Sequence, residues 1–99
     1  MQKNGDANEA VKYYKEAIEL CPPGHSGEVA TYHNNLGMAK RKLGIPLEAL
    51  EEFCKAIELN PKYTKPLFHR MGIYRELGIH LKALEDAQLI VKLDPNFQN

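Results

Sequence analysis

Neither sign of charge dominates this 99-residue chain: 13 basic residues stand against 13 acidic ones, for a net charge of zero with histidine neutral. Nucleic-acid binding relies on an excess of Lys and Arg to neutralise phosphates, so no nucleic-acid partner is expected. No run of about 18 apolar residues occurs, so no membrane span or membrane partner is expected either. The first six residues, Met-Gln-Lys-Asn-Gly-Asp, are polar where a secretory signal would be apolar. Cysteine is scarce. Cys21 and Cys54 form no Cys-x2-Cys pair and share no zinc-ligand spacing with the four histidines. The nearest metal-like pair, Cys21 and His25, is split by Pro22, Pro23 and Gly24, so no helix can present both on one face. Two free thiols in a reducing compartment are expected, hence a cytoplasmic location and no metal. A Gly-rich phosphate loop, a Ser/His/Asp arrangement and a His-Glu-x2-His run are also missing, so neither an enzyme nor a cofactor is expected.

What is present is a repeat. Gly44 and Gly78 lie 34 residues apart, and Ala49/Ala83, Leu59/Leu93 and Pro61/Pro95 share that offset. Whole segments align, LGIPLEALEEFCKAIELNP with LGIHLKALEDAQLIVKLDP. A third copy, NGDANEAVKYYKEAIELCP, lies upstream at an offset of 39, from Gly5 to Gly44 and from Pro22 to Pro61; its five extra residues fall in or near PGHSGEV. Within EALEEFCKAIEL the apolar positions Ala49, Leu50, Phe53, Ala56, Ile57 and Leu59 follow helical periodicity. Small side chains at Ala49 and Ala56 allow a neighbouring helix to come close. Asn60-Pro61 and Asp94-Pro95 stop helices, because the residue before proline is driven out of the α region. Gly44 and Gly78 suit a left-handed C-cap between paired helices. Helices are therefore predicted near 6–20, 28–43, 46–59, 63–77 and 80–93.

Period and residue types together resemble the tetratricopeptide repeat, a 34-residue helix–turn–helix unit with the pattern Trp-x2-Leu-Gly-x2-Tyr, Ala-x3-Phe, Pro. One copy reads His33-x2-Leu36-Gly37-x2-Lys40, Ala49-x3-Phe53, Pro61, and the next Leu67-x2-Arg70-Met71-x2-Tyr74, Ala83-x3-Ala87, Pro95. The upstream copy keeps Ala10-x3-Tyr14 and Pro22. The departures at His33, Lys40, Arg70 and Ala87 are expected to weaken local packing. The resemblance implies an all-α fold of about five helices, antiparallel helix–turn–helix repeats stacked as a right-handed α–α superhelix. It also implies one domain over 1–99, divided into a partial repeat 1–24 and repeats 25–61 and 62–95. Lacking its own first helix and a polar end cap, the chain is expected to be part of a longer array, with self-association through exposed repeat ends as the alternative.

The resemblance further implies that the first helix of each pair lines an inner groove and the second faces outward. The inner helices carry Lys40, Arg41, Lys42, Lys65, Arg70 and Arg75 against Glu28 and Glu76. The outer helices carry most of the acids; Glu51-Glu52 and Glu85-Asp86 are expected simply to be solvated. A basic groove favours an acidic ligand. Helical spacing puts Thr31, Asn34, Asn35, Met38, Arg41 and Lys42, then Lys65, Phe68, His69, Gly72, Arg75 and Glu76, on its floor. Gly72, lacking a Cβ, is expected to let a ligand backbone approach, and Phe68 with Met38 to form an apolar pocket. The five tyrosines are expected to serve packing, and His33 and His80 to lie on the surface or between helices. Some members of the family hold the acidic C-terminal tails of the seventy- and ninety-kilodalton heat-shock chaperones through a carboxylate clamp. Onto its pattern fall Asn35, nine residues before Gly44, Lys42, two before it, and Lys65, thirteen before Gly78; His69, nine before Gly78, stands where the pattern has Arg, with Arg70 beside it. The expected function is thus capture of an extended acidic C-terminal peptide by a protein-binding module. A structural scaffold subunit, docking through end faces or its convex side, is the alternative.

Overall fold

The computed structural model describes residues 3–96, and among these it contains five helices and no strand. They are α1 (Lys3–Leu20), α2 (Ser26–Lys42), α3 (Pro46–Leu59), α4 (Thr64–Glu76) and α5 (His80–Leu93). The chain ends, 1–2 and 97–99, included in the expected 1–99 domain, lie outside the described residues. Helices α2 and α3 pair, as do α4 and α5; α1 packs on α2, α3 on α4, and α2 also touches α4.

The two tight turns have one cause. After α2, Gly44 adopts φ +83°, its N–H donates to the Arg41 carbonyl at 3.0 Å, and the Ile45 N–H reaches the Lys40 carbonyl at 3.1 Å. After α4, Gly78 at φ +79° donates to Arg75 and Ile79 to Tyr74 in the same pattern. Both are Schellman closures, which need a left-handed residue and so favour glycine. Gly5, aligned with these glycines by the upstream offset, lies instead inside α1. Of the five extra residues, most lengthen a helix: α2 has 17 residues and α4 has 13, while the connections before them differ by only one.

Close packing centres on α3. Ala49, Phe53 and Ala56 are fully buried, and Phe53 joins Ala49, Leu50 and Ile73 in one apolar cluster. Gly37 of α2 lies directly on the Phe53 ring; a Cβ there would come within 2.8–3.0 Å of three ring carbons. A second cluster, Leu67, Met71, Ala83 and Ile90, joins α4 to α5 and is capped from α3 by Ile57. At the far end α5 leaves Leu84 and Val91 54% and 60% exposed. At the other end Val11, Tyr14, Ala17 and Ile18 of α1 are only partly covered.

Two expectations are corrected between the paired helices. Glu52 and Asp86 are not solvated but 5% and 4% exposed. They sit one 34-residue period apart, each turned from the second helix of a pair toward the first. Glu52 Oε1 lies 2.7 Å from His33 Nδ1, and its Oε2 accepts from Lys40 Nζ at 2.9 Å. Both oxygens of Asp86 accept from one edge of a guanidinium, Oδ2 from Arg70 Nε at 2.9 Å and Oδ1 from Nη2 at 2.7 Å. Arg70 also donates through Nη1 to Cys54 Sγ at 3.4 Å and lies over the Tyr74 ring. So His33, Lys40 and Arg70, the departures expected to weaken packing, each meet a buried acid. Burial pushes the Glu52 carboxyl up, but the hydrogen bonds from His33 and Lys40 and the charge of Lys40 outweigh it and hold the group at about 2.

Removing one partner of a buried pair strands the other charge, so Asp86→Ala should cost about 3–5 kcal/mol in urea unfolding, whereas joint replacement by Arg70→Met and Asp86→Leu should cost much less. A cost for the double variant equal to that of the single would show that the pair carries no such penalty. Because Glu52 is depressed in the folded protein, its contribution is fully present above the ordinary carboxylate range and is lost as pH falls toward about 2. Glu52→Gln should therefore flatten that part of the stability-versus-pH curve.

Candidate functional site

The surface lined by α2 and α4 is where sequence placed the binding residues, and the structure divides them. Asn35, Met38 and Lys42 of α2 line one cleft, whose opposite wall is Asp6, Ala7, Ala10 and Tyr14 of α1. Arg41, Phe68 and Gly72 line a second, between α2 and α4, together with Met71, Arg75, Glu76 and His80. Asn34, expected on the floor, is only 2% exposed and belongs to the interior, its Nδ2 turned toward Asn35 and Met38. Helical spacing alone cannot tell a groove-facing position from the adjacent one that turns into the helix interface.

His69 is half-buried on α4. Its ring stacks on Phe53 at 5.3 Å and 24° and meets Phe68 edge-on at 5.8 Å. Burial pushes the imidazole below its ordinary value, and the positive charges of Arg41 and Lys65 push it further down. Those two cations therefore bear on the same ring from different helices. Lys65 is exposed one turn before it.

Gly72 does not leave the opening expected of it. A Cβ there would lie 3.1 Å from Arg41 Nη2 and 3.4 Å from Nη1, because the guanidinium rests on the α4 backbone at this point. Arg41 Nη2 donates to Glu76 Oε2 at 2.7 Å. The charge inventory also changes. Lys40 and Arg70 turn away into the pairs with Glu52 and Asp86, so the groove retains Arg41, Lys42, Lys65 and Arg75. Arg70, engaged twice by Asp86, is not available in place of His69 as a ligand donor.

Sequence reasoning missed the wall contributed by α1 and the place of His80. It sought the site on inner helices alone, whereas α1 packs beside α2 and a short glycine turn brings the start of α5 back to the end of α4. Among the described residues, no three His, Cys, Asp or Glu side chains gather as metal ligands, and no helix is long and apolar enough to cross a membrane. Cys21 and Cys54 are free thiols, each partly buried.

A family model described as "Tetratricopeptide repeat" matches residues 1–62. The chain is 40% identical over 68 residues to "Mitochondrial import receptor subunit TOM70" of Rattus norvegicus, covering 69% of this chain and 11% of that protein, with the same figures for the Homo sapiens protein. It is 38% identical over 72 residues to "Sperm-associated antigen 1" of Rattus norvegicus, covering 73% of this chain and 7% of that protein. The chain thus spans only about a tenth of the length of these relatives.

Proposed function

Since the chain belongs to the tetratricopeptide-repeat family, whose members are protein-interaction modules, we propose that its concave side captures an extended, acidic C-terminal peptide of the heat-shock-chaperone-tail type. On this reading it acts without catalysis or cofactor, as a cytoplasmic adaptor or co-chaperone. One observation carries it: Arg41 and Lys65 both act on the half-buried His69 ring, which stacks on Phe53 and meets Phe68 on the groove face, while Lys40 and Arg70 are withdrawn into buried pairs. Free carboxylates need such convergent donors. Asn35 and Lys42, lining the cleft beside α1, would extend the same track, with Met38 and Phe68 giving it apolar contact. A relative named as an import receptor subunit is in keeping with a binding role.

The second reading is a scaffold subunit. It is favoured by the exposed Leu84 and Val91 of α5, which stand one period after Leu50 and Ile57 of α3, where α3 meets α4. A scaffold would ignore a short acidic peptide at any salt concentration.

Charge-assisted hydrogen bonds contribute roughly 1.5–3 kcal/mol, so Lys65→Ala and amidation of the peptide terminus should each weaken binding by more than about tenfold in calorimetric titration. Equal binding of free-acid and amidated peptides would dismiss the clamp. His69 gives the second test. A ligand carboxylate favours the charged imidazole, whose pKa should then be higher in the complex than in the free protein, where burial, Arg41 and Lys65 depress it. The extra affinity is fully present below the free-protein pKa and lost as pH rises through the pKa of the complex. Binding should be tighter near about pH 6 than near about pH 8, with the difference removed by His69→Gln. An equal slope in both proteins would take His69 out of the site.

A further inference from the structure

Arg41 occupies an unusual seat. Its guanidinium lies against the α4 backbone at Gly72, where the Cβ of any other residue would stand 3.1 Å from Nη2. From there Nη2 spans to Glu76, one turn further along α4, at 2.7 Å. The groups facing this cleft are Arg41, Arg75, His80 and Glu76, and Glu76 is the acid among the residues that line it. Lys65 and His69 adjoin it on the same helix, and both Lys65 and Arg41 act on the His69 charge. The Glu76 side chain is 63% exposed and that of Arg41 31%. Ion pairs this open contribute little to stability, so an incoming carboxylate can exchange for the resident one at small cost. A ligand carboxylate set beside Glu76 without displacing it would meet a like charge, so exchange is favoured over addition.

We infer that Glu76 is a built-in competitor of the ligand: its carboxylate holds Arg41 in the empty groove and is displaced by a carboxylate of the bound peptide. The inference rests on the acidic-peptide reading above and adds to it the residue that sets the affinity threshold. The glycine at 72 keeps the guanidinium seated where both carboxylates can reach it. A neutral peptide leaves the Arg41–Glu76 pair closed and gains nothing from Arg41; an acidic one opens it.

The test is a double-mutant cycle read by calorimetry at low ionic strength. The probe is an eight-residue peptide of Glu and Asp with a free C-terminal carboxylate. Glu76→Gln should tighten binding by about three- to fivefold, the range expected when an exposed ion pair no longer has to be broken. Arg41→Gln should weaken binding, and adding Glu76→Gln to it should bring no gain. Glu51→Gln, which changes net charge equally from the exposed face of α3, should leave the affinity unchanged. A gain that persists without Arg41, or an equal gain from Glu51→Gln, reduces the effect to bulk charge and overturns the inference. Wild-type binding with no change in Glu76→Gln overturns the inference alone. Failure of the wild-type protein to bind the peptide overturns the acidic-peptide reading, and the inference falls with it.

Discussion

A carboxylate buried between two packed helices must be met by a cation or hydrogen-bond donors, because an unpaired charge out of water costs more than the surrounding apolar contacts can offset. This chain sets that demand twice, at Glu52 and at Asp86, one repeat period apart. The answers differ. In the first pair a histidine and a lysine from positions 33 and 40 divide the carboxylate between them; in the second, one arginine at position 70 takes both oxygens. The partners stand at different places within the repeat, yet each reaches the same point on the facing helix. The acid is thus the repeated element and the cation is the variable one.

That demand shapes the outer surface as well. Each basic side chain drawn inward to meet an acid is lost to the groove, so the groove's character depends on which cations are left. Lys40 and Arg70 are spent on the interior. Arg41, Lys42, Lys65 and Arg75 remain, and around Arg41 and Lys65 the imidazole of His69 is held low by burial and by their charge. A neutral chain can therefore present a locally basic concavity without an excess of positive residues. The packing beneath it is tight where it must be: Gly37 admits the Phe53 ring, on which His69 also stacks. Core and candidate site share an aromatic residue, which ties the orientation of the histidine to the seating of α3.

Much of this was legible in the chain before any coordinates. The glycines at 44 and 78, the prolines at 61 and 95 and the helical spacing of apolar residues placed five helices to within a few positions, because each acts locally: a left-handed cap, a barred α conformation, a face that must be covered. The partners of the residues that break the repeat pattern were not legible. His33, Lys40 and Arg70 looked like losses of packing, and Glu52 and Asp86 like solvated acids, since neither half of each pair shows its partner in the sequence. Gly72 was misjudged for the same reason: the side chain that fills the space above it comes from another helix, 31 residues earlier.

The sequence by itself therefore determined the period, the helices and their turns, and through these the family, since all of them follow from backbone preferences and nearest-neighbour periodicity. Tertiary structure alone decided which charges face water and which face each other. Rotation of a helix by one residue, about 100°, moves a side chain from groove to interface, and spacing cannot resolve the difference at Asn34, Lys40 or Arg70. It also decided that Arg41 lies across Gly72 against Glu76, because that contact joins residues brought together only when α4 packs on α2.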